Sequence, residues 1–312
     1  MTRFESLAAD VDTDLASEHV VVNDVRLHVV TAGPEDGDVV VLIHGFPEFW
    51  YSWREQIPAL VDGGFRVVVP DLRGYKDSEK PHGVSAYRID ELVGDVAGLV
   101  KYYAADDDAP VDESNPTASA HVVGHDWGGG VAWSIAIRRP ELVDRLAILN
   151  APHPERFREL LRTPAQLRRS WYMLFFQLPV VPEYGLTRDD ASLLEKVFED
   201  VMPASERRAY RDAIQRPGAA RSAVNYYRAF LRVGLRDELP FLSPTIEIPG
   251  GNVPVPTLVV WGEDDEALLS ANADGLETWV PDLGVERVTD AGHWVQLDAP
   301  ERVNDALRGH LE

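Results

Sequence analysis

Cysteine, lysine and long apolar runs are scarce or absent in this sequence. None of its 312 residues is a cysteine, which excludes disulfides, thiolate catalysis and cysteine-ligated metals. The longest uninterrupted apolar runs, such as residues 39–43, are far shorter than the about 20 residues that a transmembrane helix needs. Residues 1–18 are polar and acidic, without the apolar core of a signal peptide. We therefore expect a cytoplasmic protein that has no membrane partner.

Positive charge is also in short supply. The chain has 30 basic and 52 acidic residues and a net charge of −22, and lysine occurs only at positions 76, 80, 101 and 196. A surface of this kind repels nucleic acid and anionic membranes. Two explanations of the acidity stay open. One is a biased genome composition with a soluble acidic surface, and the other is adaptation to a salt-rich cytoplasm that screens the repulsion.

Short apolar runs alternate with helical patterns along most of the chain. The predicted strands are residues 38–43, 65–69, 120–123, 146–149 and 257–261, with a weaker one at 285–288 and a hairpin or edge strands at 20–32. Amphipathic helices are predicted between or after them, at 87–103 and 301–311 among others. Strands that alternate with helices predict an α/β protein with a mostly parallel sheet and helices on both faces.

Residues 152–243 break this alternation. They contain no clear strand, and helices are predicted at 166–177, 192–201, 205–215 and 219–233. An all-helical insertion of this length predicts a cap above the carboxyl edge of the sheet, where α/β proteins place their sites. We therefore divide the chain into a first core part at 1–151, a helical cap at 152–243 and a second core part at 244–312. Loops are expected at 104–118 and, as the return from the cap, at 244–256.

The sequence Gly124-His125-Asp126-Trp127-Gly128 has the form of a nucleophile elbow with aspartate in the place of serine. It follows the predicted strand 120–123 and precedes a small-residue helix, which is the context that gives such a motif meaning. A carboxylate that attacks a saturated carbon forms an ester, and an activated water can cleave that ester. Asp126 therefore indicates alkyl transfer rather than acyl transfer.

The α/β-hydrolase order of nucleophile, acid and histidine is present further along the chain. Asp264 and Asp265 are the acid candidates after the predicted strand 257–261, and His293 follows the last predicted strand. All lie beyond the carboxyl ends of strands, so we expect them to converge on Asp126. His293 is predicted to act as general base on a water molecule, with the acid orienting its imidazole.

The loop His44-Gly45-Phe46-Pro47 directly follows the predicted strand 38–43. In this fold such a loop supplies one backbone N–H of the oxyanion hole, and the residue after the nucleophile supplies the other. We therefore predict that the backbone N–H groups of Phe46 and Trp127 form the oxyanion hole.

At these motifs the chain resembles epoxide hydrolases of the α/β-hydrolase fold, from about His19 to the C-terminus. The matching segments are HGFPEFWYSW (44–53), PDLRGYKDSEKP (70–81), GHDWGG (124–129), WGEDD (261–265) and AGHW (291–294). The resemblance implies hydrolysis of an epoxide to a vicinal diol through an Asp126 ester. It also implies two cap tyrosines, Tyr172 and Tyr227, that protonate the epoxide oxygen, with Tyr226 as the alternative to Tyr227. For the acid it favours Asp265 over Asp264.

Two features depart from the family pattern: Lys76 stands where glycine is common, and the segment 104–118 is longer and more acidic than usual. The resemblance further implies a small apolar epoxide as substrate and no metal or organic cofactor. An apolar pocket is predicted from Phe46, Trp50, Trp127 and Phe176.

Three alternatives to an epoxide hydrolase remain at this stage. Haloalkane and haloacetate dehalogenases share the aspartate nucleophile, although the haloacetate enzymes place arginines where Trp127 and Gly130 stand. A ligand-binding protein that lost turnover is more remote, because no catalytic position is damaged. The oligomeric state is open between monomer and homodimer.

Overall fold

The strands form one eight-stranded sheet. The computed structural model describes residues 3–105, 118–232 and 250–312. Most of the predicted loop at 104–118 and the first half of the predicted return loop at 244–256 therefore lie outside the described residues. The last residue of the helix predicted at 219–233 also lies outside them. The strands in the described part are β1 (Ala16–Val22), β2 (Val25–Ala32), β3 (Val39–Ile43), β4 (Arg66–Pro70), β5 (Ala120–His125), β6 (Val143–Leu149), β7 (Thr257–Gly262) and β8 (Leu283–Val288). Their order is β1-β2-β4-β3-β5-β6-β7-β8.

Strand direction in this sheet follows the apolar pattern of the sequence. β1, β2 and β4 pair antiparallel, and every pair from β4 through β3 to β8 is parallel. β3, β5 and β7 are buried along their whole length, as expected for parallel strands that are covered by helices on both faces. The hairpin between β1 and β2 turns at Asn23 and Asp24, which have positive φ of 46° and 57°. The predicted fold class, a mostly parallel α/β sheet, is confirmed.

Helices connect and cover the strands. They are α1 (Arg3–Ala8), α2 (Gln56–Asp62), α3 (Ile89–Ala104), α4 (Trp127–Arg138), α5 (Pro154–Leu160), α6 (Pro164–Arg169), α7 (Trp171–Phe175), α8 (Val181–Val197), α9 (Ala204–Ile214), α10 (Ala219–Arg232), α11 (Val295–Asp298) and α12 (Pro300–Leu311). α8 is interrupted by non-helical backbone at residues 188–191. In the described part of the chain, no helix is long and apolar enough to cross a membrane.

Helices α5 to α10 all lie between β6 and β7, and residues 152–232 contain no strand. The helix predicted at 166–177 is two helices, α6 and α7, because Ser170 has non-helical backbone (φ −87°, ψ 12°) between them. Its hydroxyl bonds the Gln166 side chain at 3.0 Å, and a local polar contact of this kind competes with helix continuation. The helix predicted at 192–201 ends earlier, at Val197. The exact limits of the cap, 152 and 243, stay a prediction.

The fold brings four loops to the carboxyl edge of the parallel strands. The segment after β3 begins at His44, the elbow follows β5 at Asp126, and the loops after β7 and β8 lead to Asp265 and His293. This edge is where α/β sheets place their sites. The loops that carry Asp126, Asp265 and His293 therefore meet the loop that begins at His44, although His44 and His293 are 249 positions apart.

Candidate active site

Asp126 occupies the sharp turn between β5 and α4. Its backbone has φ 49° and ψ −118°, a strained conformation for a residue with a side chain. Strand and helix approach so closely here that a Cβ on Gly124 would lie 2.6 Å from the carbonyl carbon of Gly128, and a Cβ on Gly128 would overlap the carbonyl of Ile43. The two glycines thus permit a turn that projects the Asp126 side chain away from the sheet.

The loop after β3 contacts the Asp126 carboxylate. The backbone N–H of Phe46 donates to Asp126 Oδ1 at 2.8 Å. Gly45 makes room for this contact, because a Cβ at Gly45 would lie 2.7 Å from Oδ1. Trp127 directly follows Asp126 and is the first residue of α4, so its backbone N–H has no acceptor within that helix. The structure therefore has a backbone donor on one carboxylate oxygen, at the loop where the sequence predicted it.

On its other side the carboxylate faces His293. His293 Nε2 lies 3.5 Å from Asp126 Oδ2, and His293 Nδ1 donates to Asp265 Oδ2 at 2.7 Å. Asp264, the other acid candidate in the loop after β7, is exposed, and His293 contacts Asp265. The structure thus joins Asp126, His293 and Asp265 in one line of contacts.

Asp265 is held by four donors. Its Oδ1 accepts the backbone N–H groups of Ala267 and Leu268 at 2.7 and 2.8 Å, and its Oδ2 accepts the Asn150 side chain at 2.8 Å in addition to His293. Asn150 also bonds the backbone of Gly262 at both of its side-chain atoms. The acid is therefore ionised and fixed in orientation before any substrate binds.

Charge couples the three side chains. Burial alone would lower the pKa of His293, but the carboxylates of Asp265 and Asp126 outweigh it and raise that pKa well above its usual value. Burial would raise the pKa of Asp126, but its hydrogen bond and charge interaction with His293 hold it below its usual value. The pKa of Asp265 is likewise lowered, chiefly by the charge of His293 against the effect of burial. These two shifts favour a protonated His293 beside an ionised Asp126 in the free protein.

Two tyrosine rings from different helices lie together above Asp126. Tyr172 is on α7 and Tyr227 is on α10, and their ring centroids are 5.8 Å apart. Burial raises the pKa of both hydroxyls, and the charge of Asp126 raises it further, so both are neutral proton donors at ordinary pH. The neighbouring Tyr226 differs, because its hydroxyl donates to the carbonyl of Arg73 at 2.8 Å and is therefore already occupied.

The surroundings of the tyrosines are aromatic. Tyr227 contacts the rings of Phe46, Trp127 and Phe176 at centroid distances of 5.4, 5.1 and 4.8 Å. Phe230, one helical turn after Tyr227, lies against Trp127 at 5.7 Å. Sequence reasoning missed Phe230, although its i+3 spacing from Tyr227 on one helix face is a usable signal.

Trp50 does not join these rings. It is 1 % exposed and lies against Phe4 and Tyr51, at centroid distances of 5.7 and 5.5 Å, while its backbone N–H donates to Asp71. Trp50 is the first residue of a short 3-10 helix, Trp50–Trp53, and its side chain is buried. The structure thus separates Trp50 from the other three residues predicted to line the pocket, and its place there is not supported.

Behind the site is a buried carboxylate that sequence reasoning did not assign. Glu48 accepts the N–H of Gly45 at 2.6 Å and contacts His125 Nδ1 at 2.9 Å, while His125 Nε2 donates to the carbonyl of His293 at 2.9 Å. Burial would raise the pKa of Glu48, but the charge and hydrogen bond of His125 lower it. Three loops of the site are therefore connected through one Glu–His pair.

Helix α6 is bonded to the loop that carries Asp265. Gln166 on α6 accepts the N–H of Leu269 at 3.0 Å and donates to the carbonyl of Ala267 at 3.0 Å. Arg169 donates to the carbonyls of Asp265 and Leu268.

In the part of the chain that the structure describes, no group of three His, Asp or Glu side chains is arranged to hold a metal ion.

Comparison with known proteins gives consistent matches over nearly the whole chain. A family described as alpha/beta hydrolase fold matches residues 38–300. The AB hydrolase superfamily protein YfhM of Bacillus subtilis is 37% identical and covers 95% of this chain and 97% of its own, and Epoxide hydrolase 1 of Caenorhabditis elegans is 35% identical over 95% of this chain and 70% of its own. The crystal structure of a Bacillus megaterium epoxide hydrolase in complex with an inhibitor has a TM-score of 0.80 at 32% identity, covering 94% of this chain and 99% of that one.

Proposed function

The chain belongs to the epoxide hydrolases of the alpha/beta hydrolase fold, and from this we propose that it opens an apolar epoxide through a covalent ester on Asp126. As a member it is a hydrolase that acts on epoxides. The mechanism rests chiefly on one observation: the Asp126 carboxylate lies between a backbone donor and the His293–Asp265 pair, near the adjoining rings of the partly buried Tyr172 and the buried Tyr227.

The two oxygens of Asp126 are given different tasks by their neighbours. Oδ1 accepts the N–H of Phe46, whereas Oδ2 faces His293 at 3.5 Å. We assign the attack on the ring carbon to Oδ2, so that Oδ1 becomes the carbonyl oxygen of the ester and stays at the backbone donor. As the C–O bond of the epoxide breaks, the hydroxyl of Tyr172 or Tyr227 gives its proton to the departing oxygen.

Formation of the ester changes the charge at His293. The negative charge of ionised Asp126 raises the pKa of His293. An ester carries no charge, so this effect of Asp126 on the pKa disappears when the ester forms. The pKa of the imidazole then falls, and its Nε2 proton passes to the tyrosinate that the first step left, so that His293 is neutral and can act as general base in the second step. Asp265 keeps the Nδ1–H in place, so the free lone pair is on Nε2, towards the ester.

In the second step His293 takes a proton from water as the water oxygen attacks Cγ of Asp126. The negative charge that develops on Oδ1 is stabilised by the N–H groups of Phe46 and Trp127, and each good donor of this kind contributes about 3 kcal/mol. The Cγ–Oδ2 bond then breaks, and His293 returns the proton to the departing diol oxygen. The other water proton, left on the new carboxyl group, passes to His293 and restores ionised Asp126 beside a protonated imidazole.

The tyrosines separate this proposal from a dehalogenase on the same fold. A departing halide needs no proton, whereas the oxygen of an opening epoxide does. Both Tyr172 and Tyr227 have a raised pKa and therefore carry that proton at neutral pH.

Product analysis tests the proposal. We expect the protein to convert styrene oxide to its diol and to release no bromide from 1-bromobutane. An Asp126→Asn variant is expected to form no diol initially, because an amide is a poor nucleophile. Bromide release without diol would contradict the proposal in favour of a dehalogenase.

A further inference from the structure

The two proposed proton donors are on separate helices, and one of these helices is very short. α7 has five residues, Trp171–Phe175, and a helix of this length is not stable without external partners. The carbonyl groups at its C-terminal end also need donors from outside the helix. Something beyond α7 must therefore fix where Tyr172 stands relative to Tyr227.

Arg228, the residue after Tyr227, donates to the main chain immediately beyond α7. Its side chain is 8% exposed, its Nε donates to the carbonyl of Phe176 at 3.0 Å, and its Nη2 donates to the carbonyl of Leu178 at 2.6 Å. Phe176 directly follows the last residue of α7. The guanidinium therefore caps the chain as it leaves α7, four residues after Tyr172.

The positive charge of Arg228 is neutralised by Glu183 near the start of α8. Nη1 lies 2.5 Å from Glu183 Oε1 and Nη2 lies 3.1 Å from Oε2, a two-pronged contact that only a planar guanidinium makes. The Asn225 side chain, one turn earlier on α10, accepts from Nη1 at 3.4 Å. A buried charge with this many partners is fixed in position.

Gln177 adds a second connection between the helices. Its side-chain nitrogen donates to the carbonyl of Tyr227 at 3.1 Å and to that of Met173, inside α7, also at 3.1 Å. Gln177, just beyond α7, thus bonds the main chain of Tyr227 on α10 and that of Met173, the neighbour of Tyr172 on α7, and the two tyrosine rings lie 5.8 Å apart.

We propose that Arg228 is a positioning residue that sets the separation of the Tyr172 and Tyr227 hydroxyls and thereby controls ester formation but not ester hydrolysis. The inference rests on the proposed function, in which the tyrosines act only while the epoxide opens. A displacement of about 1 Å in a reacting group lowers a rate by about 100-fold. Lysine keeps the charge but has a single ammonium, which does not reproduce the fork between Phe176, Leu178 and Glu183.

The test compares Arg228→Lys and the double variant Arg228→Gln/Glu183→Gln with the wild type in single turnovers of styrene oxide. The double variant removes both charges and so leaves no buried ion unpaired. Acid quenching and mass analysis of the Asp126 peptide give the rate constants for formation and for hydrolysis of the ester. Repeating the measurement with 3,3,3-trifluoro-1,2-epoxypropane, whose departing oxygen is less basic, reports on proton donation.

Arg207→Lys is the matched control. Arg207 likewise bonds a glutamate, Glu195, and caps two carbonyls, those of Glu199 and Met202, but it joins α8 to α9 and not the helices of the tyrosines. It therefore reports the effect of loosening the helical insertion in general.

We expect both Arg228 variants to form the ester 10- to 100-fold more slowly, to hydrolyse it within twofold of the wild-type rate, and to lose less with the fluorinated epoxide. Arg207→Lys should leave both steps within twofold. Ester formation at the wild-type rate in both Arg228 variants, or an equal loss in both steps, would overturn the inference while leaving the proposed function intact. A wild-type protein that forms diol without any ester would instead overturn the proposed function, and this inference with it.

Discussion

Replacing Asp265 with asparagine separates the two steps of the proposed reaction. Asp265 Oδ1 accepts two backbone N–H groups, from Ala267 and Leu268, and these would hold the oxygen of the new amide. The amide nitrogen would then face His293 Nδ1, which lies 2.7 Å from Oδ2 in the present structure. A donor at that place forces Nδ1 to accept, so that the proton of the neutral imidazole moves to Nε2 and the base towards the ester is lost.

The expected loss in ester hydrolysis is about 10⁴-fold, the size of the effect when such a tautomer is disturbed. This corresponds to about 5.5 kcal/mol in the activation free energy of the second step. Ester formation needs only ionised Asp126 and the tyrosines, so it should change by a small factor. The variant should therefore show one rapid equivalent of alkylated Asp126 and almost no diol.

The pH dependence provides an independent check on the same variant. Asp265 raises the pKa of His293, and hydrolysis requires His293 to be neutral, so loss of the carboxylate should move the acid limb of the remaining hydrolysis to lower pH. Rapid quenching with mass analysis measures both steps, and Asp264→Asn, on the exposed neighbour, is the control that should behave as wild type. Diol release by Asp265→Asn at the wild-type rate, or an equal loss of both steps, would refute the reasoning.

Two further sets of variants test the proton donors and the elbow. Tyr172→Phe and Tyr227→Phe should each slow ester formation by about 10² to 10⁴-fold while sparing hydrolysis, as measured in single turnovers. The Tyr226 hydroxyl bonds the Arg73 carbonyl, so Tyr226→Phe should cost only about 1 kcal/mol in the free energy of unfolding. A larger catalytic loss in Tyr226→Phe than in Tyr227→Phe would reverse the assignment. Gly45→Ala should abolish both steps, because its Cβ would lie 2.7 Å from Asp126 Oδ1. Gly130→Ala is the control, because a Cβ at this position inside α4 meets open space. It should keep activity and gain about 0.5–1 kcal/mol in the free energy of unfolding, as measured by denaturant titration. Full activity of Gly45→Ala would show that the loop after β3 does not stand where the structure has it.

The features that the sequence predicts well are those carried by local patterns. Buried parallel strands are continuous apolar runs, so β3, β5 and β7 are visible in the sequence. Asp126 is visible because two flanking glycines and a preceding strand define its turn, and His293 and the two acid candidates follow from the order of the strands. Tyr172, Tyr227 and the preference for Asp265 over Asp264 came instead from the resemblance to epoxide hydrolases.

Features that depend on contacts between distant segments are not visible in this way. The bond between Asn150 and Asp265 joins residues 115 positions apart, and Glu48 contacts His125 across 77 positions. No spacing rule relates such residues, so their roles emerge only when the sheet brings the loops together. Trp50 shows the converse, because an aromatic residue beside a motif was expected in the pocket and packs in the core instead.

The covalent ester on Asp126 is the central claim, and one isotope measurement tests it most directly. A single turnover of styrene oxide in oxygen-18 water, followed by mass analysis of the peptide that contains Asp126, shows where the water oxygen goes. Because water attacks Cγ of Asp126 in the proposed second step, we predict that the label appears in the Asp126 carboxylate and that the first diol released is unlabelled. Labelled diol with an unlabelled Asp126 would mean that water attacks the epoxide itself, and the account of Asp126 as nucleophile would be wrong.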